Sequence, residues 1–139
     1  MERHIRKIVL YKARHIEDMR KELRMLEQAR RDIIDESPAP QDGMPHGKGN
    51  TSSPTESKVL RLAKLDTRIN KLNFEIKTIL ETREYLTDEQ KEIFDNSIVK
   101  KVNTDYTIDT GRYSRKYFFN ERGKILKAIA IRLGEYYEE

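Results

Sequence analysis

From Leu62 to Leu86 the apolar residues recur in alternating steps of three and four: Leu62, Leu65, Ile69, Leu72, Ile76, Ile79 and Leu86. Arg83 is the one polar residue on this seam. Such spacing lays an apolar edge along a long helix, and that edge must be covered by another helix. The start is also written in the chain. Ser53 suits the cap, Pro54 suits the first helical position, and Glu56 completes a capping box. The spacing therefore predicts a heptad helix over 54–86.

A second seam runs through residues 1–35, at Ile5, Val9, Ile16, Met19, Leu23, Leu26 and Ile33, with interruptions at Lys12 and Arg30. It reads as a single N-terminal amphipathic helix. Between the two seams, residues 36–53 hold Pro38, Pro40 and Pro45 with Gly43, Gly47 and Gly49, the composition of a flexible linker. Two helices joined in this way either fold back as an antiparallel coiled-coil hairpin or zip with a second chain into a homo-oligomer. The periodicity does not choose between them.

Residues 87–139 begin with a capping signal, Thr87 followed by Gln90, and an apolar face of Ile93, Phe94, Ile98 and Val102. A short polar stretch, Asn103 to Thr110, is predicted as a short helix anchored by Tyr106 and Ile108, and Gly111 marks a turn. Ser114 caps a last helix. Its stripe is Phe118, Ile125, Ile129 and Leu133, widened by Leu126 and Ala130, and it stops at Gly134. No alternating run of strand type is present, so the expected class is all-α.

Apolar residues make up 36% of the chain and charged residues 37%, enough for a modest core between amphipathic helices. The absence of cysteine excludes disulfides and cysteine-based zinc modules. The first thirty residues are charged throughout and no apolar run approaches membrane-spanning length, so the expectation is a cytoplasmic chain with no membrane partner.

The net charge is only +4, but residues 100–132 carry nine Lys/Arg against three Asp/Glu. A basic segment of this kind favours a polyanionic partner. The order helix, short helix, turn, capped longer helix is that of a helix-turn-helix DNA-binding domain over 87–139. In such a unit the last helix packs one face on its supports and offers donors to base edges and phosphates from its first turns. Arg112, Ser114, Arg115, Lys116, Tyr117, Asn120 and Arg122 are available for that task. Arginine can grip guanine with two hydrogen bonds and asparagine can do the same with adenine. Lys124 and Lys127 lie further along, at phosphate reach, and Lys100 and Lys101 lie on the support side, where backbone contacts fall.

Enzymatic chemistry finds little foothold. Gly43 to Gly49 (GMPHGKG) has three residues before its Gly-Lys, where a phosphate loop has four, and Gly49 stands where Ser or Thr would meet magnesium. His4, His15 and His46 lack ligand spacing, and no nucleophile and base can be paired. The reading is a non-enzyme without cofactor or metal.

Four stretches resemble a known family: GMPHG (Gly43 to Gly47) with SSPTE (Ser52 to Glu56); LDTRI (Leu65 to Ile69); LTDEQKEIF (Leu86 to Phe94); and YSRKYFFNERGKILKAIAIRLG (Tyr113 to Gly134). In order and spacing they are similar to the small phage late-gene activators of the RinA and ArpU type, whose C-terminal half resembles region four of sigma factors. The resemblance implies a DNA-binding activator of phage late genes acting on double-stranded DNA in the bacterial host. It implies RNA polymerase as a further partner. It sets Ser114, Arg115, Lys116, Tyr117 and Arg122 at the family's DNA-facing positions. Two departures stand out: Arg112 and Tyr113 lengthen the turn by one residue, and Asp105 and Asp109 replace alanine and leucine types in the short helix. Other readings of the same pattern are a small terminase subunit that recognises packaging DNA and a coiled-coil interaction protein. Tyr136 and Tyr137, beside the acidic end, read as a packing cap or a contact for polymerase or a second protomer.

Overall fold

A computed structural model describes residues 1–36, 54–100 and 103–137, and the chain is all-α over them. The helices are α1 (Arg3–Arg14), α2 (Ile16–Ile34), α3 (Pro54–Glu84), α4 (Asp88–Ile93), α5 (Thr104–Gly111) and α6 (Arg115–Leu133). A π-helical segment, Phe94–Val99, continues α4. The linker expected over 36–53, with the Gly43 to Gly49 loop, His46 and the Ser53 cap, lies outside the described residues except for Glu36. So do Val102 and Lys101. Among the described residues no helix is long and apolar enough to cross a membrane.

The N-terminal helix expected as one piece is two. The break falls at His15, whose backbone leaves the helical region (φ −111°, ψ 24°). Its Nδ1 lies 2.7 Å from the Tyr11 carbonyl oxygen and its ring stacks on Tyr11 with centroids 3.9 Å apart. The Tyr11 carbonyl also accepts the His15 amide at 3.1 Å, so ring and backbone share one acceptor at the break.

The chain divides into two compact units. The first comprises Arg20–Asn73. Here α2 and α3 run antiparallel. Glu22 accepts two hydrogen bonds from Arg68, Asp66 pairs with Arg30 at 2.6 Å, and Glu36 pairs with Arg61 at 2.7 Å. Residues early in α2 therefore meet residues late in this stretch of α3. The seam itself is buried at Ile33, Ile69 and Leu72 and half-buried at Leu23, Leu26, Leu62 and Leu65.

The second unit comprises Met1–Met19 with Phe74–Glu139. Here α6 packs on α1 and α4, and the π-helical segment packs on α1 and α5. Val9, Ala13, Ile79, Ile93, Phe94, Ile98, Phe118, Ile125, Leu126 and Ile129 form a closed apolar core. Each large side chain in it contributes roughly 1.5–3 kcal/mol of transfer free energy. The apolar stripes expected for 93–98 and 118–130 are the buried ones. Tyr106 is the exception: it is 63% exposed, and Thr107 goes inside beside Ile108. Thr107 can do so because its hydroxyl donates back to the Asn103 carbonyl, which leaves no unpaired donor.

Charged groups pin this core at its edges. Lys12, an interruption of the first seam, reaches Glu75 at 3.0 Å and Glu135 at 2.9 Å. Burial works against its charge, but the bonds to Glu135 and Glu75 outweigh it and hold its pKa above the ordinary lysine value. Thr87 and Gln90 form the expected capping box, and Gln90 does more. Its Oε1 accepts from the Thr87 amide while its Nε2 donates to the buried Glu121 of α6 at 2.8 Å.

Candidate nucleic-acid interface

The start of α6 is set by two successive devices. First, α5 ends in a Schellman motif: the Tyr113 amide donates to the Ile108 carbonyl (3.0 Å) and the Arg112 amide to that of Asp109 (3.3 Å). The left-handed residue this motif needs is Arg112, at φ 56°, and not the preceding Gly111. Gly111 serves another purpose. A Cβ there would stand 2.2 Å from the Tyr113 ring, so only glycine lets that ring fold against the turn. Second, the Ser114 hydroxyl accepts from the Tyr117 amide at 3.1 Å and caps α6 as expected.

Two tyrosines then tie the turn to α4. Tyr113 donates to Glu92 at 2.9 Å, and Tyr117 donates to Glu89. Burial, aided by Glu92, pushes the Tyr113 phenol up to about 12. The hydrogen bond to Glu89 does the same for Tyr117, also to about 12. Tyr117 is thus a bracing residue whose hydroxyl is already committed.

Successive residues of an α-helix are set about 100° apart, and this divides the cations of α6 into two groups. Lys116, Asn120, Gly123, Lys124 and Lys127 share one face. Lys116, Asn120 and Lys124 are exposed, and a Cβ on Gly123 would meet nothing within 4 Å. Arg115, Phe119 and Arg122 fall on another face. The Arg115 and Arg122 guanidiniums sit over the Phe119 ring, 5.3 and 5.1 Å from its centroid. Arg115 also pairs with Asp105 at 3.0 Å, so an aspartate of α5 holds one of the candidate reading residues. Lys127 lies over Tyr136 at 5.9 Å. Arg112 and Lys100 are exposed.

The sequence grouped Arg122 with Lys116 and Asn120 and set Lys124 apart. The structure brings Lys124 to the face of Lys116 and Asn120, and turns Arg122 toward α1. There the guanidinium is half-buried. Burial, then the nearby charges of Arg14 and Arg6, lower its pKa. Arg6 and Arg14 were not among the expected site residues. Their signal was present, since Arg3, Arg6, Lys7 and Arg14 share one face of a helix, but it was hidden by treating 1–35 as a single seam.

The acids of the region are nearly all engaged away from the open face of α6. Glu121, the one acid in α6, is 9% exposed and accepts from Gln90 and Lys124. Every exposed charge on α6 is therefore positive: Arg115, Lys116, Lys124 and Arg132. Among the described residues no three His, Asp or Glu side chains are placed to hold a metal ion.

No family model, no curated protein and no solved structure matches the chain.

Proposed function

We propose that the chain is a sequence-specific regulator of transcription that binds double-stranded DNA through a helix-turn-helix formed by α5, the turn at Arg112–Tyr113 and α6. One observation carries the reading: α6 buries its only acid, and every exposed charge it carries is positive. In this reading Lys116 and Asn120 meet base edges, Lys124 and Arg112 meet phosphates, and Gly123 lets the helix backbone come close to the groove wall. Tyr113 and Tyr117 hold the angle of α6 by their bonds to α4. The finer assignment, activation of phage late genes in contact with RNA polymerase, rests on the resemblance of Leu86 to Phe94 and Tyr113 to Gly134 to that family.

The test is selection of bound duplexes from random DNA, followed by anisotropy titrations at several salt concentrations. Affinity for the selected duplex falls linearly with the logarithm of salt. Lys116→Ala combined with Asn120→Ala weakens binding at least about tenfold and relaxes sequence preference, since each base contact discriminates by about 1–3 kcal/mol. The melting temperature stays that of the parent, because both side chains are exposed. A chain that enriches no sequence, or a double variant that binds as the parent does, overturns the assignment.

A further inference from the structure

We propose that the cleft between α1 and α6 is a binding site for a small phosphorylated anion of the diphosphate or triphosphate class. It is an open cleft of about 490 Å³, lined by Met1, Arg3, Arg6, Lys7 and Leu10 on one side and Arg122 on the other. That volume is of small-ligand size. The inference stands independently of the DNA reading.

The cations here are gathered at one place without a carboxylate partner. Arg30, Arg61, Arg68 and Arg83 each grip an aspartate or glutamate, and Lys12 grips two. Arg3, Arg6, Lys7, Arg14 and Arg122 have no carboxylate partner among the described residues. The neighbouring Glu2 is taken by His4 at 3.2 Å. Like charges thus gather around Arg122, whose charge is disfavoured first by its own burial and then by Arg14 and Arg6, and an anion bound there would relieve that.

Two further features point the same way. The Nε of Arg14, next to Arg122, is buried with no hydrogen-bond partner among the described residues. Arg14 does not line the cleft, but its charge acts on Arg122 and adds to the positive potential there. The first turn of α1, from which Arg3 lines the cleft, carries no acidic residue, and its N-cap Glu2 makes no side-chain cap bond, so the first amides of the helix have no side-chain acceptor.

Shape separates this site from a nucleic-acid backbone contact. The cations converge from two helices on one concave volume, with Met1 and Leu10 as an apolar wall. The open cationic face of α6, with Lys116 and Lys124, lies on another side of that helix. A phosphoryl chain neutralised by Arg6, Lys7 and Arg122, with an organic group against Met1 and Leu10, satisfies both the charge and the apolar wall.

The test titrates pyrophosphate and tripolyphosphate into the full chain by calorimetry and thermal melting, against sodium chloride of matched ionic strength. Saturable binding at one site and a raised melting temperature are expected. Arg6→Gln, at an exposed position, weakens that binding by about tenfold or more, as loss of one charge-assisted pair requires. Arg122→Gln does the same, while Lys64→Gln, in the other unit, binds as the parent does. Stabilisation by chloride equal to that by pyrophosphate, or undiminished affinity in Arg6→Gln, overturns the proposal. So does a chain that ignores pyrophosphate yet loses duplex binding with Arg6→Gln, which would assign these cations to a nucleic-acid backbone. Failure of the duplex titrations alone leaves the pyrophosphate result standing.

Discussion

Arg83 grips Asp95 with both arms of its guanidinium, Nε to Oδ1 at 2.8 Å and Nη2 to Oδ2 at 2.7 Å. In the heptad pattern Arg83 was the one flaw. In the fold it is the bolt between the end of α3 and the π-helical segment. The pair raises the arginine's pKa and holds the Asp95 carboxyl below the usual aspartate range. A carboxyl with a depressed folded pKa contributes stability above its unfolded pKa and loses it as pH falls through the folded one. Arg83→Ala is expected to cost about 1–2 kcal/mol near neutral pH, discounted because both groups are about a third exposed. The deficit shrinks as pH falls below about 4. Urea melts of the two chains across that range check it, and a deficit that stays constant to pH 2 would count against the pair as its source.

Gly111→Ala drives a methyl into the Tyr113 ring, whose nearest atom would stand 2.2 Å away. The ring must leave its place and give up Glu92. A loss of about 1–3 kcal/mol is expected, in line with overpacking elsewhere. In the Tyr113→Ala background the same substitution costs much less, so a double-mutant cycle should return a large coupling energy. Additive losses would mean that the ring and the glycine do not compete for the same space.

Arg112→Gly removes the only left-handed non-glycine residue among the described positions. Relief of that conformation is worth about 1 kcal/mol, so the variant should melt higher than the parent. If Arg112 meets phosphate, the same variant also binds DNA more weakly and with a shallower salt dependence. Stability and affinity then move in opposite directions.

Gly123→Ala offers a sharper split. A Cβ at this position meets nothing in the free chain, and glycine inside a helix costs about 1 kcal/mol against alanine. Stability should rise by about 0.5–1 kcal/mol. On a face that approaches a groove closely, the added methyl should weaken duplex binding. Unchanged affinity would remove Gly123 from the interface while leaving Lys116 and Asn120 to be tested separately.

How much of this was legible in the chain depends on which physical signal was in play. Capping boxes and apolar periods are local and survive folding, so Thr87 with Gln90, Ser114, and the stripe Phe118–Ile125–Ile129 appear where their spacing put them. The break at His15 was not legible, because neither glycine nor proline stands there to mark it. Gly111 was read as marking the turn, and the turn is there, but the left-handed residue is Arg112, while Gly111 makes room for the Tyr113 ring. The candidate surface was legible as a set of cations and not as two faces. Helical phase alone would have separated Arg122 from Lys116, whereas the cluster with Arg6 and Arg14 needed the fold, since α1 and α6 are far apart in sequence.

The chain has no tryptophan and seven tyrosines, so its absorbance and emission at the red edge of the near ultraviolet, beyond the phenylalanine bands, belong to phenols. Two of these phenols, Tyr113 and Tyr117, are bonded to carboxylates that brace α6 on α4. Carboxylate-bound phenols are quenched emitters, and tyrosinate absorbance from this pair should grow only near pH 12. Any event that pries α6 from α4 therefore announces itself as brighter emission and an earlier ionisation, without a label and without a substitution.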